Sequence, residues 1–185
     1  MKTTLKNTPL KDLILIDIDY FEDDRGFFIE SWHQKDFALA GLDLVFVQEG
    51  HSLSRKRVLR GLHYQDMSAP MGKLLRCTAG SIFDVAVDLR VSSPTFGEWF
   101  GVELNARQKT QIYVPVGFAH GFATLSEVAE VQYKMTGFYA PSSEGGIRWN
   151  DPEVGVEWPI QEPILSQRDQ ENQSLAEYRE KPSFK

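Results

Sequence analysis

The run from Ser81 to Arg90 constrains the fold more than any other stretch of this chain. Phe83, Val85, Val87 and Leu89 fall on one side of it, with Ile82, Asp84, Ala86 and Asp88 on the other. That is period two, the spacing of a β-strand, and it leaves no helical stripe. A later run repeats the pattern with Ala129, Val131, Tyr133 and Met135 on one face, so Tyr133 is expected to point into the core. Turn signals recur at short intervals: Ala79-Gly80, Ser93-Pro94, Asn105-Ala106, Pro115-Val116-Gly117 and Pro141-Ser142. Many short strands punctuated this closely indicate an antiparallel sandwich or barrel.

Upstream, Leu13 to Ile18 reads as a first strand, and Asp23-Asp24-Arg25-Gly26 as a turn into an aromatic strand ending near Trp32. Asp36 to Ala40 reads as a short helix, started by Asp36 and stopped by Gly41, and Leu44 to Gln48 as strand again. Past Trp149 the chain turns irregular and ends in a polar tail, residues 166–185, expected to be partly helical and partly frayed. With 185 residues and 42% hydrophobic content, one core suffices. A single domain over residues 1–185 is therefore expected, its core spanning about 13–165.

Twenty basic against 26 acidic residues give a formal charge of −6. Non-specific nucleic-acid binding needs a positive footprint, so no nucleic-acid partner is expected. A small anion remains open, because a few arginines in a cleft make a local positive field. The single cysteine, Cys77, rules out an intramolecular disulfide and a Cys-rich zinc site. No run approaches the ~18 apolar residues of a membrane span, and the N-terminus lacks a secretory apolar core. A cytoplasmic protein without membrane attachment is expected.

Two of the four histidines lie in strand-like runs: His63 in Val58-Leu59-Arg60-Gly61-Leu62-His63-Tyr64-Gln65, and His120 in Pro115-Val116-Gly117-Phe118-Ala119-His120. The second run resembles the second motif of the cupins, small jelly-roll barrels whose metal-binding members carry a His-x-His pair in their first motif. Here the matching place reads His63-Tyr64-Gln65, so one ligand is missing, and His33, in a polar stretch, is expected to be solvated. Three or four protein ligands do not assemble from what remains, so no metal is expected. What is left is acid–base chemistry. An imidazole with an ordinary pKa of ~6.5 suits a general base near neutral pH. A bulge at Gly61 would bring Arg60 and His63 into one pocket despite their odd spacing. Lys73 supplies a cation for an oxyanion, and Tyr133 an inward phenol able to donate a proton. Taken singly, each of these residues is more often structural.

The chain resembles the dTDP-4-dehydrorhamnose 3,5-epimerase family from about Leu13 to Asp169. Several blocks carry the likeness: Gly26-Phe27-Phe28-Ile29-Glu30, Phe46-Val47-Gln48, Leu59 to Gln65, Gly72-Lys73-Leu74, Phe83 to Asp88, Ser93 to Gly97, Pro115 to Phe122, Tyr139-Ala140-Pro141, Trp149-Asn150-Asp151-Pro152 and Leu165 to Asp169. The resemblance implies an all-β, cupin-type jelly roll with a few short helices. It also implies epimerisation, without a cofactor, of dTDP-4-dehydro-6-deoxy-D-glucose at C3 and C5, or at only one of those carbons in a related sugar. It makes His63 the base, oriented by Asp169 from the tail, Tyr133 the acid on the opposite face of the sugar, and Lys73 the holder of the C4 oxygen. His120 would line the same pocket. Arg25, Glu30, Gln48, Glu49, Gly50, Arg60, Glu144 and Arg168 match nucleotide-sugar contacts, and Tyr139 matches the ring that stacks on thymine. The resemblance further implies a homodimer whose Arg25–Glu30 strand reaches into the partner's pocket. Two positions depart from the family pattern: Gly50 stands where Asn is usual, and Met71 where Gln is frequent.

Overall fold

The computed structural model describes residues 1–185. Its elements run β1 (Thr3–Asn7), β2 (Ile14–Ile18), β3 (Phe21–Asp23), β4 (Gly26–Phe28), α1 (Gln34–Leu39), β5 (Gln48–Arg55), β6 (Leu59–Gln65) and β7 (Lys73–Ala79). Then follow β8 (Ser81–Asp88), β9 (Trp99–Asn105), β10 (Gln111–Val114), β11 (Phe118–Thr124), β12 (Val128–Met135), β13 (Glu144–Gly146), α2 (Gln167–Glu171) and α3 (Leu175–Glu180). Six strands form one sheet in the order β1-β2-β10-β7-β12-β5, and five form a second in the order β13-β6-β11-β8-β9. Every pairing within the sheets is antiparallel. This is the cupin jelly roll.

Alternation places the cores. Leu75, Cys77, Ile112, Val131 of the larger sheet and Ile82, Ala86, Phe118, Phe122 of the smaller one share a cluster between the two. The other side of β8, Val85 and Val87, is buried too, in a second cluster with Leu62, Tyr64 and Ile147. Residues of the C-terminal segment cover that side: Leu175, Tyr178 and Phe184 are all buried in the same cluster. Tyr178 Oη donates to Leu89 O (2.9 Å) and accepts from the Phe184 N–H (3.1 Å), so the buried phenol is satisfied in both roles. The tail is therefore not frayed as its polarity suggested. Three large side chains, each contributing roughly 1.5–3 kcal/mol on full burial, hold it down.

Four local expectations need correcting: β1 precedes the strand expected to be first, the aromatic strand ends at Phe28 and not near Trp32, and two more concern α1 and β5. Helix α1 begins earlier than Asp36, because His33 is its cap: Nδ1 accepts from the Asp36 N–H (3.3 Å). Residues 44–47 form no strand; β5 starts only at Gln48. Leu44 and Phe46 instead pack against a third cluster around Phe37 and Ile16, on the outer side of the larger sheet.

Candidate active site

Strand β6 carries one residue more than its partner over the same length. His120 pairs with His63 and Phe122 with Arg60, so two steps on β11 match three on β6. Gly61 sits inside that bulge at φ +136°, where a β-carbon would meet Gly121 Cα at 2.5 Å. Only glycine fits both the backbone angle and the contact. As a result Arg60 and His63 line one cavity, as a bulge at Gly61 predicts.

That cavity, about 380 Å³, lies between the two sheets. From the smaller sheet come Arg60, His63, His120 and Glu144; from the larger come Gln48, Gly50, Lys73 and Tyr133, with Tyr139 on the loop beyond β12. An adjoining recess shares Arg60, His63, Tyr133 and Glu144 with it, and adds Arg168 and Asp169 from the tail.

His63 Nε2 lies 2.5 Å from Asp169 Oδ1. Asp169 is 3% exposed, not the solvated charge its polar neighbourhood suggests. Ser166 caps α2 by accepting from the Asp169 N–H (3.2 Å), and its hydroxyl donates to Asp169 Oδ2 (2.7 Å). Burial pushes the Asp169 carboxyl up, but hydrogen bonds from His63 and Ser166 outweigh it and hold the group below the usual carboxylate range. With Nε2 engaged by a carboxylate, Nδ1 is the ring atom left to accept a proton.

A second imidazole–carboxylate pair stands beside the first. His120 Nε2 lies 2.9 and 3.1 Å from the two oxygens of Asp84, which is fully buried. Asp84 was not among the expected site residues. Its signal was an acid on the same inward face of β8 as Ile82 and Ala86.

Lys73 opens β7, and its ammonium is set by its surroundings. Burial pushes it below the ordinary lysine range; Glu144 and Asp84 pull it back up, and Arg168 pushes it down again. Glu144 gathers the cavity edge, with Arg168 Nη1 at 2.5 Å and the Tyr139 hydroxyl donating to it at 2.8 Å. The Tyr139 N–H donates to Gln48 Oε1 (2.9 Å). Gln65, which sequence reasoning missed, accepts from the Ala140 N–H (2.7 Å) and donates to Phe138 O (3.2 Å), tying this loop to β6. Arg60 Nε donates to Ser54 Oγ at 3.0 Å.

Three expected contacts lie elsewhere. Glu49 follows Gln48 and precedes Gly50, so alternation turns it to the other face of β5, where Lys134 and Gln132 hold its carboxylate. Arg25 is at the tip of the β3–β4 hairpin, forked onto Asp23 and open to solvent. Glu30 lies beside the Met1 ammonium at 3.8 Å. The hairpin pairs only with itself, which keeps Arg25 out of this chain's cavity.

Cys77 is buried, and burial pushes its thiol up to about 11, so it is not a nucleophile at neutral pH. No three His, Cys, Asp or Glu side chains converge as metal ligands would. No helix is long and apolar enough to cross a membrane.

A jelly roll with two imidazole–carboxylate pairs, an ammonium and a phenol around one cavity carries the parts of an acid–base enzyme: base, acid and a cation for an oxyanion. The comparisons say which. The family model for dTDP-4-dehydrorhamnose 3,5-epimerase matches residues 7–177, and the chain belongs to that family. It is 53% identical over 164 residues to the dTDP-4-dehydrorhamnose 3,5-epimerase of Salmonella typhimurium, covering 88% of this chain and 90% of that one. With the Pseudomonas aeruginosa enzyme of the same name it shares 52% over 179 residues, 96% and 97% of the two chains. The crystal structure of the dTDP-6-deoxy-D-glucose-3,5-epimerase of Legionella pneumophila in complex with dTDP-4-keto-L-rhamnose superposes with a TM-score of 0.90 at 44% identity, over 94% and 93% of the chains.

Proposed function

We propose that this isomerase inverts C3 and C5 of dTDP-4-dehydro-6-deoxy-D-glucose to give dTDP-4-dehydro-L-rhamnose. One observation carries the mechanism: His63 and Tyr133 enter a single cavity from facing sheets. A C4 ketone acidifies the protons on its two neighbouring carbons. His63, with Asp169 stabilising the imidazolium, takes one of them. The resulting enolate oxygen is held by Lys73 and by His120 in its imidazolium form, with Asp84 as counter-charge, donors of the kind that each contribute ~3–4 kcal/mol. Tyr133 returns a proton to the other face, and inversion follows because donor and acceptor are different groups. No hydride or electron moves, so the reaction needs no cofactor.

In this reading Gln48, Arg60, Glu144 and Arg168 bind the nucleotide sugar, guanidinium forks suiting diphosphate oxygens. Tyr139, half exposed at the rim, stacks on thymine. The tail carries Asp169, so residues 1–185 work as one domain. Arg25 and Glu30 act in the cavity of a second copy. The exposed Phe21, Phe27 and Phe28 of the hairpin support such an exchanged arm in a homodimer. The enzyme is cytoplasmic.

Incubation with the 4-keto sugar in D₂O, with chelator present, tests the reading. Deuterium is expected at both C3 and C5 of the product. Label at one carbon only would make the enzyme a 3- or 5-epimerase, and none at either would overturn the proposal.

A further inference from the structure

Gln65 follows His63 by two residues on β6 and shares its inward face, but it lies buried at the cavity edge, 6% exposed. Its side-chain amide has a full set of partners. Nε2 donates to Ala69 O (2.7 Å) and to Phe138 O (3.2 Å), and Oε1 accepts from the Ala140 N–H (2.7 Å). Both donors are taken within the chain, so the amide has none left for a ligand. Two of the three partners flank Tyr139. The peptide unit before its Cα is held at both ends, Phe138 O by Gln65 and the Tyr139 N–H by Gln48 Oε1 (2.9 Å). The unit after it is held at the Ala140 N–H, again by Gln65. Two planar units fixed on either side of one Cα fix the direction of its side chain. The hydroxyl bond to Glu144 (2.8 Å) completes the placement of the ring at the rim.

We infer that Gln65 is a positioning residue for nucleotide recognition: it acts through the backbone on both sides of Tyr139 and sets how that ring meets the base. The inference rests on the proposed stacking of Tyr139 on thymine and deepens it. Two neighbours on one strand then serve opposite ends of the substrate, His63 the sugar and Gln65 the base. An ionised carboxylate could not stand in for the amide, because it would face the carbonyls of Ala69 and Phe138 with no proton to donate.

Calorimetric titration with dTDP, together with steady-state rates, tests this. Loss of a base–ring stack weakens binding roughly 5- to 150-fold. Gln65→Met, close in size and without hydrogen bonds, should weaken dTDP binding by about 10-fold and raise KM alike, with kcat at saturation within about twofold of native. Tyr139→Ala should lose at least as much, and Gln65→Met in the Tyr139→Ala background should add no further loss. Gln65→Glu should also weaken dTDP binding, and its deficit relative to native should shrink as pH is lowered, because the introduced carboxyl, once protonated, again donates to a carbonyl. Gly101→Ala is the stability control. A β-carbon there meets Phe83 Cζ at 2.4 Å, away from the cavity, and should lower the melting temperature without weakening dTDP binding. If Gln65→Met does not fold, Gln65→Glu carries the same comparison; if neither folds, the amide serves the fold alone and the inference falls. Native dTDP binding by a folded Gln65 variant, a loss additive with that of Tyr139→Ala, or a fall in kcat as large as the rise in KM would also overturn it. Native dTDP binding by Tyr139→Ala would instead remove the ring from the base, and with it the proposed stacking.

Discussion

The two imidazole–carboxylate pairs are built from like parts and held in unlike ways. Their histidines face each other directly, His63 on β6 and His120 on β11. Asp84 reaches His120 from β8, the strand hydrogen-bonded to β11, and is sealed at 0% exposure. Asp169 reaches His63 from a five-residue helix, 106 residues further along the chain. The first pair is part of the sheet and forms whenever the sheet does. The second exists only when the tail is docked, with Leu175, Tyr178 and Phe184 on the outer side of β6 and β8. Sheet registry thus suffices to place a supporting group, whereas the proposed base depends on long-range packing by Leu175, Tyr178 and Phe184.

The two pairs should differ most when their histidines are removed. His63→Ala should lower kcat by about 10³-fold, within the ~10²–10⁴ that a general base contributes, while dTDP binding is retained. His120→Ala should cost clearly less, because Lys73 still faces the same oxygen. Steady-state rates and calorimetric titration with dTDP would check both. Equal losses would mean that the two pairs share the work of the base.

Asp169→Asn should cost about 10²-fold in kcat, since the imidazolium loses its counter-charge. Its pH signature is specific. The Asp169 carboxyl is held below its ordinary value of ~3.9, so its ionised form stabilises the fold. That contribution is fully present above the ordinary value and is lost as pH falls through the lowered one. Urea unfolding followed downward from pH 5 should therefore show a shallower acid loss in Asp169→Asn than in the native chain.

Asp84→Asn should reverse the emphasis. The amide offers His120 one acceptor oxygen in place of a carboxylate, in a fully buried setting. A stability loss of about 1–3 kcal/mol is expected from the weakened buried hydrogen bonds, with a kcat loss below that of Asp169→Asn. Thermal melts and rates on the same samples decide between them.

The same contrast explains what could be read from the sequence. Period-two spacing on β8 and β12 gave the strands, the inward face of Tyr133 and, in principle, Asp84. Residues 44–47 show the limit of that signal. Leu44 and Phe46 are partly buried while Val45 and Val47 are exposed, an alternation that is real although only Val47, at the end of the segment, bonds to a strand, its N–H donating to Met135 O (2.9 Å). Periodicity reports which side faces apolar neighbours, not where the backbone hydrogen bonds go. The tail was harder still. Its three anchoring side chains are scattered through polar residues, and nothing local couples them to β6. Asp169 could be assigned only through family resemblance, because its partner is a tertiary contact with no sequence period.

The smallest expected effect concerns a residue the resemblance placed in the site and alternation removes from it. Glu49 lies between Gln48 and Gly50, which line the cavity, and its carboxylate sits on the opposite face of β5 with Lys134 and Gln132. Those two hold it below the ordinary glutamate range: the Lys134 hydrogen bond contributes most, and burial works against it. Partly exposed pairs of this kind contribute roughly 0–1 kcal/mol. Glu49→Gln should therefore leave kcat/KM within about twofold and stability within about 1 kcal/mol. A tenfold rise in KM would mean that Glu49 reaches substrate by a route this chain's own cavity does not offer, such as the cavity of a second copy. Two chains would then share one site.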